Sequence, residues 1–371
     1  MKVDVAAVNA ALEKVIDPEI RRPIVELGML RSVNISETGA VVVGVDLTTS
    51  GCPLKTKITE DVKAEVSKVP GVTSVEVEMG VMSDEQKKAL REKLTGHAER
   101  SIPFTKPGCF TRIYAITSGK GGVGKSSITA NLATSLAAQG LKVGVLDADI
   151  YGFSIPRMMG VNEPAQKVDE MIIPPVAHGV KVMSIGMFVP EGTPVVWRGP
   201  MLHRAIQQFL ADVFWGDLDA LLLDLPPGTG DVAISISQLL PNAEIVVVTT
   251  PQVAAAEVAE RAGSIATQTK QRVVGVIENM SYMPQPDGSR LELFGSGGGE
   301  QVSKRLSAQL GYEIPLLAQV PLDMNLREGS DEGTPVVLRG GVSAEALDSV
   351  ARVLAKRSRG LKGRSLGVSP L

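Results

Sequence analysis

One octapeptide, Gly119-Lys120-Gly121-Gly122-Val123-Gly124-Lys125-Ser126, constrains this chain more than any other stretch. It follows an apolar run over residues 113–117 and precedes a helix-forming run over residues 127–139. The spacing G-x-x-x-x-G-K-[ST] between a strand and a helix is that of a phosphate-binding loop. Its glycines let successive backbone N–H groups turn inward, and the helix N-terminus adds the positive end of its dipole. Lys125 is then placed to meet the β- and γ-phosphates of a nucleotide, and the Ser126 hydroxyl to ligate Mg²⁺. Ser127 opens the helix and completes the set. A strand, a tight loop and a helix in that order commit the surrounding chain to an α/β architecture.

The flanking sequence agrees. Apolar runs at residues 113–117, 142–147, 220–224, 244–250 and 273–278 alternate with helical patterns. Such alternation predicts a mostly parallel sheet covered by helices on both faces. Leu146-Asp147-Ala148-Asp149 closes the second of these strands and puts carboxylates at the C-terminal sheet edge, where open α/β folds bind ligands. Leu221-Leu222-Leu223-Asp224 is an apolar strand ending in an acid, the Walker B pattern, which places Asp224 on Mg²⁺ through water. Pro226-Pro227-Gly228-Thr229-Gly230-Asp231 follows as a switch segment able to sense the γ-phosphate.

With 371 residues against roughly 100–200 per domain, a second domain is expected. Residues 1–95 read as a small α/β unit. A helix carrying Val5, Val8, Leu12 and Val15 is stopped by Asp17-Pro18, and strands follow, one of them over residues 40–47. Thr49-Ser50-Gly51-Cys52-Pro53 leads into a helix over about residues 54–68, and a strand over residues 72–79 comes after it. Residues 96–110 read as a linker, residues 111–355 as the second domain, and residues 356–371 as a basic tail whose composition predicts disorder.

Lys and Arg total 38 against 41 Asp and Glu, and aromatics are 4% of the chain, so neither the basic excess nor the stacking residues of a nucleic-acid binder are present. No apolar run approaches the ~18 residues of a membrane span, and the tail lacks the apolar face of a surface anchor. The two cysteines, Cys52 and Cys109, make no disulfide framework, which fits a reducing, cytoplasmic setting. Cys52 precedes a helix N-terminus, a place that favours thiolate; Cys109 lies in the linker. His97, His178 and His203 show no metal-ligand spacing, and Met158, Met159, Met183 and Met187 read as packing residues.

The doubled lysine of the loop, Lys120 and Lys125, resembles the deviant Walker A motif of the MinD/ParA-type ATPases. Asp147-Ala148-Asp149-Ile150-Tyr151-Gly152, Arg198-Gly199-Pro200, Asp224-Leu225-Pro226-Pro227-Gly228 and Glu278-Asn279-Met280-Ser281 together resemble the Mrp/ApbC iron–sulfur cluster carrier ATPases. Asp17-Pro18-Glu19 and the segment around Cys52 resemble the small domain of iron–sulfur assembly factors. The resemblance spans residues 1 to about 355. It implies a homodimeric ATPase with ATP, Mg²⁺ and an iron–sulfur cluster, serving apo iron–sulfur client proteins and assembly factors. It also implies that Lys120 reaches the partner subunit's phosphates, that Asp149 orients the attacking water with Asp147 in support, and that Asn279 reads the adenine edge. Pro321-Leu322-Asp323 resembles a second base-flanking segment, Trp197 and Arg198 a subunit contact. One departure stands out. Where that family has Cys-x-x-Cys after Asn-Met-Ser, this chain reads Tyr282-Met283-Pro284-Gln285, leaving Cys52 as the candidate cluster ligand. A non-metallated nucleotide-switch adaptor or positioning ATPase of the MinD/ParA type is the alternative that this departure keeps open.

Overall fold

The computed structural model describes residues 3–48, 55–95, 101–149, 152–168, 171–188, 199–228, 230–252 and 255–357. The chain divides into two compact units. The first comprises residues 1–101 with 163–175 and 212–216, and the second residues 102–162, 176–211 and 217–371.

In the first unit, α1 (Val5–Leu12), β1 (Leu30–Ile35), β2 (Ala40–Leu47), α2 (Lys55–Val66), β3 (Ser74–Val81) and α3 (Asp84–Thr95) follow one another. The three strands form one sheet in the order β1-β2-β3, with β2 antiparallel to β1 and parallel to β3. Val41, Val43, Val45 and Leu47, alternate residues of β2, share one buried core with Ile58, Val62 and Val66 of α2. α1 ends at Leu12, earlier than the Asp17-Pro18 stop, because the N–H groups of Lys14 and Val15 turn back onto Ala11 O and Leu12 O, three residues away, and break the i→i−4 pattern. Asp17 makes a separate turn by accepting from the N–H groups of Glu19 and Ile20.

The second unit begins with β4 (Arg112–Ser118), α4 (Lys125–Ala138), β5 (Val143–Asp147) and the short α5 (Ile155–Met158). The chain then makes the hairpin β6 (Gln166–Val168) and β7 (Met171–Ile173), which belongs to the first unit. Val168, Met171 and Ile173, with Phe214, join the core of the first unit. These residues fall inside the stretch 111–355 expected for the second domain, and the structure assigns them to the first unit.

Beyond the hairpin come β8 (Val176–Ala177), β9 (Val180–Ser184), α6 (Gly199–Asp212), β10 (Ala220–Asp224), α7 (Asp231–Leu239), β11 (Glu244–Thr249), α8 (Ala255–Thr269) and β12 (Val273–Asn279). A two-stranded hairpin, β13 (Met283–Pro284) and β14 (Arg290–Leu291), precedes α9 (Gly298–Leu310), β15 (Leu316–Val320), α10 (Met324–Asp331) and α11 (Val342–Lys356). Eight strands form the sheet β15-β12-β11-β4-β10-β5-β9-β8, parallel throughout except for the edge strand β8. This is the expected doubly covered α/β sheet, and β4 sits near its middle. Near-continuous runs such as Leu221-Leu222-Leu223 are buried on both faces, as parallel strands require.

Two boundary expectations change. Ile102 and Phe104, read as linker, are buried and belong with the second unit. Lys356, read as the start of the tail, ends α11, and Arg357 pairs with Glu244 Oε1 at 2.8 Å. The rest of the tail, together with Cys52, His97, Trp197 and Arg198, lies outside the described residues. Among the described residues no helix is long and apolar enough to cross a membrane.

Candidate nucleotide site

β4 delivers the chain to the middle of the sheet's C-terminal edge, and the loop after it must turn back into α4 within six residues. Gly122 and Gly124 make that turn with φ of +78° and +81°, a region that side chains with a Cβ rarely adopt. Gly124 is also the N-cap of α4, and no side chain caps that helix end. The first N–H groups of α4 therefore remain available to an anion. The loop borders a cavity of about 240 Å³, lined by residues 121–127 with Asp149, Met158 and Pro227 among others. Gly228 donates its N–H to Ser118 O at 2.9 Å, tying the segment after β10 to the end of β4.

Charge is concentrated where the strands end. Asp224 and Asp147 are register partners on the adjacent strands β10 and β5, and both carboxylates are fully buried. Lys125 Nζ lies 2.6 Å from Asp224 Oδ2, and the same oxygen accepts from Ser126 Oγ at 2.6 Å. Thr129 Oγ1, one helical turn beyond Lys125, reaches Asp224 Oδ1 at 2.7 Å. Thus the lysine and the serine of the loop converge with the strand-end acid on one point.

Asp147 has a different environment. Its Oδ1 accepts from Asp149 N at 3.1 Å, and its Oδ2 from Ser154 N, Ile155 N and Ser184 Oγ at 3.1–3.3 Å. It ties the loop carrying Asp149 to the sheet and holds the start of α5. Burial, and next the Asp224 charge, push its pKa above the ordinary carboxylate range; the N–H groups of Ile155 and Asp149 and the Lys125 charge pull it back.

The structure thus brings together Gly121, Gly122, Val123, Gly124, Lys125, Ser126, Ser127 and Asp149 around one cavity, with Asp224 behind Lys125 and Ser126. Gly119 and Lys120 belong to the loop and Asn279 lies beside it, and none of the three is among the residues that line that cavity. Lys120 Nζ is held by Gln252 Oε1, and Asn279 Nδ2 donates to Val123 O at 2.9 Å. Asp323 accepts from Asn325 N at 2.9 Å as the N-cap of α10, so its visible role is structural. Of the other expectations, His178 meets Gly333 O, and Met159 and Met183 are core residues. Cys109 is half-buried, with its Sγ on Thr111 Oγ1. Among the described residues no group of three or more His, Cys, Asp or Glu side chains is arranged to hold a metal ion.

Sequence reasoning missed Thr129 and Arg261. Thr129 left little signal, since Asn131, Thr134 and Ser135 are further buried polar residues of the same helix. Arg261, which donates to Gly119 O at 2.6 Å from α8, left none, since an arginine on an amphipathic helix reads as solvated surface.

Comparison with known proteins decides the family. Residues 110–355 match the family model described as NUBPL iron-transfer P-loop NTPase. The chain belongs to that P-loop NTPase family. Residues 5–79 match a second model, iron-sulfur cluster assembly protein, in the first unit. The iron-sulfur cluster carrier protein of Mycobacterium leprae is 59% identical over 368 residues, covering 98% of this chain and 96% of that protein. The one from Synechocystis is 42% identical over 358 residues, covering 94% and 96%. Among solved structures, a nucleotide-binding protein from Archaeoglobus fulgidus in complex with ADP is 37% identical, with a TM-score of 0.52 over 68% of this chain and 91% of that one. Membership of this P-loop NTPase family fits the geometry: the family's phosphate loop is here the junction of β4 and α4.

Proposed function

We propose that this chain is a Mg²⁺-dependent ATPase that carries iron–sulfur clusters and passes them to apo-proteins, working as a cytoplasmic homodimer. The observation that carries the nucleotide half is the convergence of Lys125, Ser126 and Asp224 at the end of an uncapped helix. The Ser126 hydroxyl and the Asp224 carboxylate are hard oxygen donors, the type Mg²⁺ takes. The ion would draw on these two residues and neutralise charge on the β- and γ-phosphates.

In this reading Lys125 leaves Asp224 for the phosphates, and the loop N–H groups hold the remaining oxygens. Asp149, at the cavity wall and anchored through Asp147, orients the water whose oxygen attacks the γ-phosphorus as the bond to the β–γ bridging oxygen breaks. Lys120 supplies a further cation across the dimer, and the buried Oδ1 of Asn279, which has no hydrogen-bond partner among the described residues, accepts from the adenine amino group. ATP binding and hydrolysis then bias two states of the dimer, one retaining cluster and one releasing it.

The cargo half is supported by the names of the relatives and by the assembly-type first unit, with Cys52 as the proposed thiolate ligand. The lack of Cys-x-x-Cys after Ser281 favours the adaptor reading instead. Anaerobic reconstitution with ferrous iron and sulfide, on wild type and Cys52→Ser, separates the two. A stoichiometric cluster in wild type that is lost in the variant supports carriage. ATPase activity with no retained cluster in either protein supports the adaptor.

A further inference from the structure

We infer that Asn279 and Arg261 are positioning residues that fix the peptide planes of the phosphate loop from outside. The inference rests on the nucleotide reading above. Two carbonyls of the loop are held by side chains distant in sequence. Gly119 O accepts from Arg261 Nη1 at 2.6 Å, and Val123 O accepts from Asn279 Nδ2 at 2.9 Å.

A peptide unit is planar and trans, so a carbonyl and the following N–H point in opposite directions. Holding Gly119 O on α8 turns the N–H of Lys120 away from α8. Holding Val123 O on Asn279 turns the N–H of Gly124 away from the amide. The loop's function depends on where its N–H groups point, so these two bonds set it. Because Val123 O can only accept, the Asn279 amide must present its nitrogen there, and Oδ1 is left as the free acceptor.

Both grips need glycine. A Cβ on Gly124 would stand 2.2 Å from Asn279 Nδ2, and one on Gly119 would stand 2.8 Å from Val258 Cα of α8. These two glycines are thus required for the loop to be gripped from behind, apart from any need to admit phosphate at the front. A glycine-rich loop left to itself has much conformational entropy to lose on binding. A loop already pinned at both ends loses less, and the difference appears as affinity.

The inference separates from base recognition by choice of ligand. Inorganic tripolyphosphate has no base, so a residue that only reads adenine leaves its binding unchanged. Calorimetric titration of the full chain with tripolyphosphate and with ATP, in wild type, Asn279→Ala and Arg261→Met, tests this at 0.1 M and 1 M salt. The expected result is a loss of about five- to tenfold in tripolyphosphate affinity for each variant, the worth of one hydrogen bond. For Arg261→Met that ratio should persist at 1 M salt, where a screening length of about 3 Å removes the long-range pull of an exposed guanidinium. Asn279→Ala weakening ATP alone overturns the role of Asn279. A ratio for Arg261→Met that vanishes at 1 M salt overturns the role of Arg261. Arg261 is exposed on α8, so its variant keeps the fold if burial of Asn279 makes the other fail. Wild type that binds neither ligand refutes the nucleotide reading, a failure seen before any variant is compared, and the inference falls with it.

Discussion

The nucleotide site of the second unit and the buried polar cluster of the first are built in contrasting ways. In the second unit the phosphate loop is one continuous stretch, and Asp147 and Asp224 sit at the ends of strands that pair in register. In the first unit, Thr48 Oγ1 donates to Gln166 Oε1 at 3.1 Å, and Gln166 Nε2 lies 3.5 Å from Glu19 Oε1. Those partners are 118 and 147 residues apart in sequence. One site is built on a continuous loop and on the ends of strands held in register by the sheet, the other by a hairpin inserted between β5 and β9 that completes the first unit's core. The contrast teaches where each unit is vulnerable. The second loses function through single charges, and the first loses stability through residues outside its own continuous stretch.

The largest effect belongs to the nucleotide site. Lys125→Ala should cut ATP hydrolysis by at least about 10²–10³-fold, the scale of removing one preorganised charge donor. Phosphate release measures it, and full activity would remove the loop from the mechanism. The first unit offers a matched pair one residue apart. Val168 is fully buried in its core, while Lys167 beside it on β6 is exposed. Val168→Asp should destabilise by roughly 3–5 kcal/mol because it buries an uncompensated charge. Lys167→Asp should stay within about 0.5 kcal/mol. Denaturant midpoints for the two, with hydrogen exchange across Ala40–Leu47, would show whether the hairpin is integral. Equal small effects would mean that the first unit does without it. Gln166→Ala removes the acceptor of Thr48 and should cost about 1–2 kcal/mol.

How much of this was legible follows from the same contrast. The loop and the strand over Ala220–Asp224 were readable because motif and apolar run are each continuous. β3 runs over Ser74–Val81, two residues later than its alternation suggested, since Val72 N closes a turn onto Val69 O and Thr73 N bonds Gly39 O, just ahead of β2. β9 was missed: Lys181, buried as its second residue, breaks the apolar run that marks a central strand. Arg261 and Gln166 were unreadable for one reason. Each acts on a partner more than a hundred residues away, and nothing in its local pattern distinguishes it from surface. Asn279 was found through resemblance, yet its bond to Val123 O depends on β12 ending beside the loop, which only the sheet order reveals.

The smallest expected effect is a slope, and it bears on how the two units hold their buried acids. In the first unit Asp46 is nearly buried and paired with Arg31 Nη1 at 3.0 Å. Asp147 in the second unit instead faces Asp224 across the register, and its pKa is raised by burial and by that charge. A raised pKa means that the folded state holds this proton more tightly than the unfolded chain, whose aspartates titrate near about 3.9. The contribution of Asp147 to stability is therefore complete below that value. It declines as pH climbs toward the raised pKa. Asp147→Asn removes the titration and adds a constant cost, because its amide nitrogen would face the N–H groups of Ser154 and Ile155 or of Asp149. The stability difference between wild type and Asp147→Asn, followed by urea unfolding from pH 4 upward, should shrink steadily with pH. Adding Asp224→Asn should flatten that slope, since the neighbouring charge is one of its two causes. A difference that is flat in pH would mean that the four donors around Asp147 outweigh both burial and Asp224, leaving the carboxylate ionised throughout.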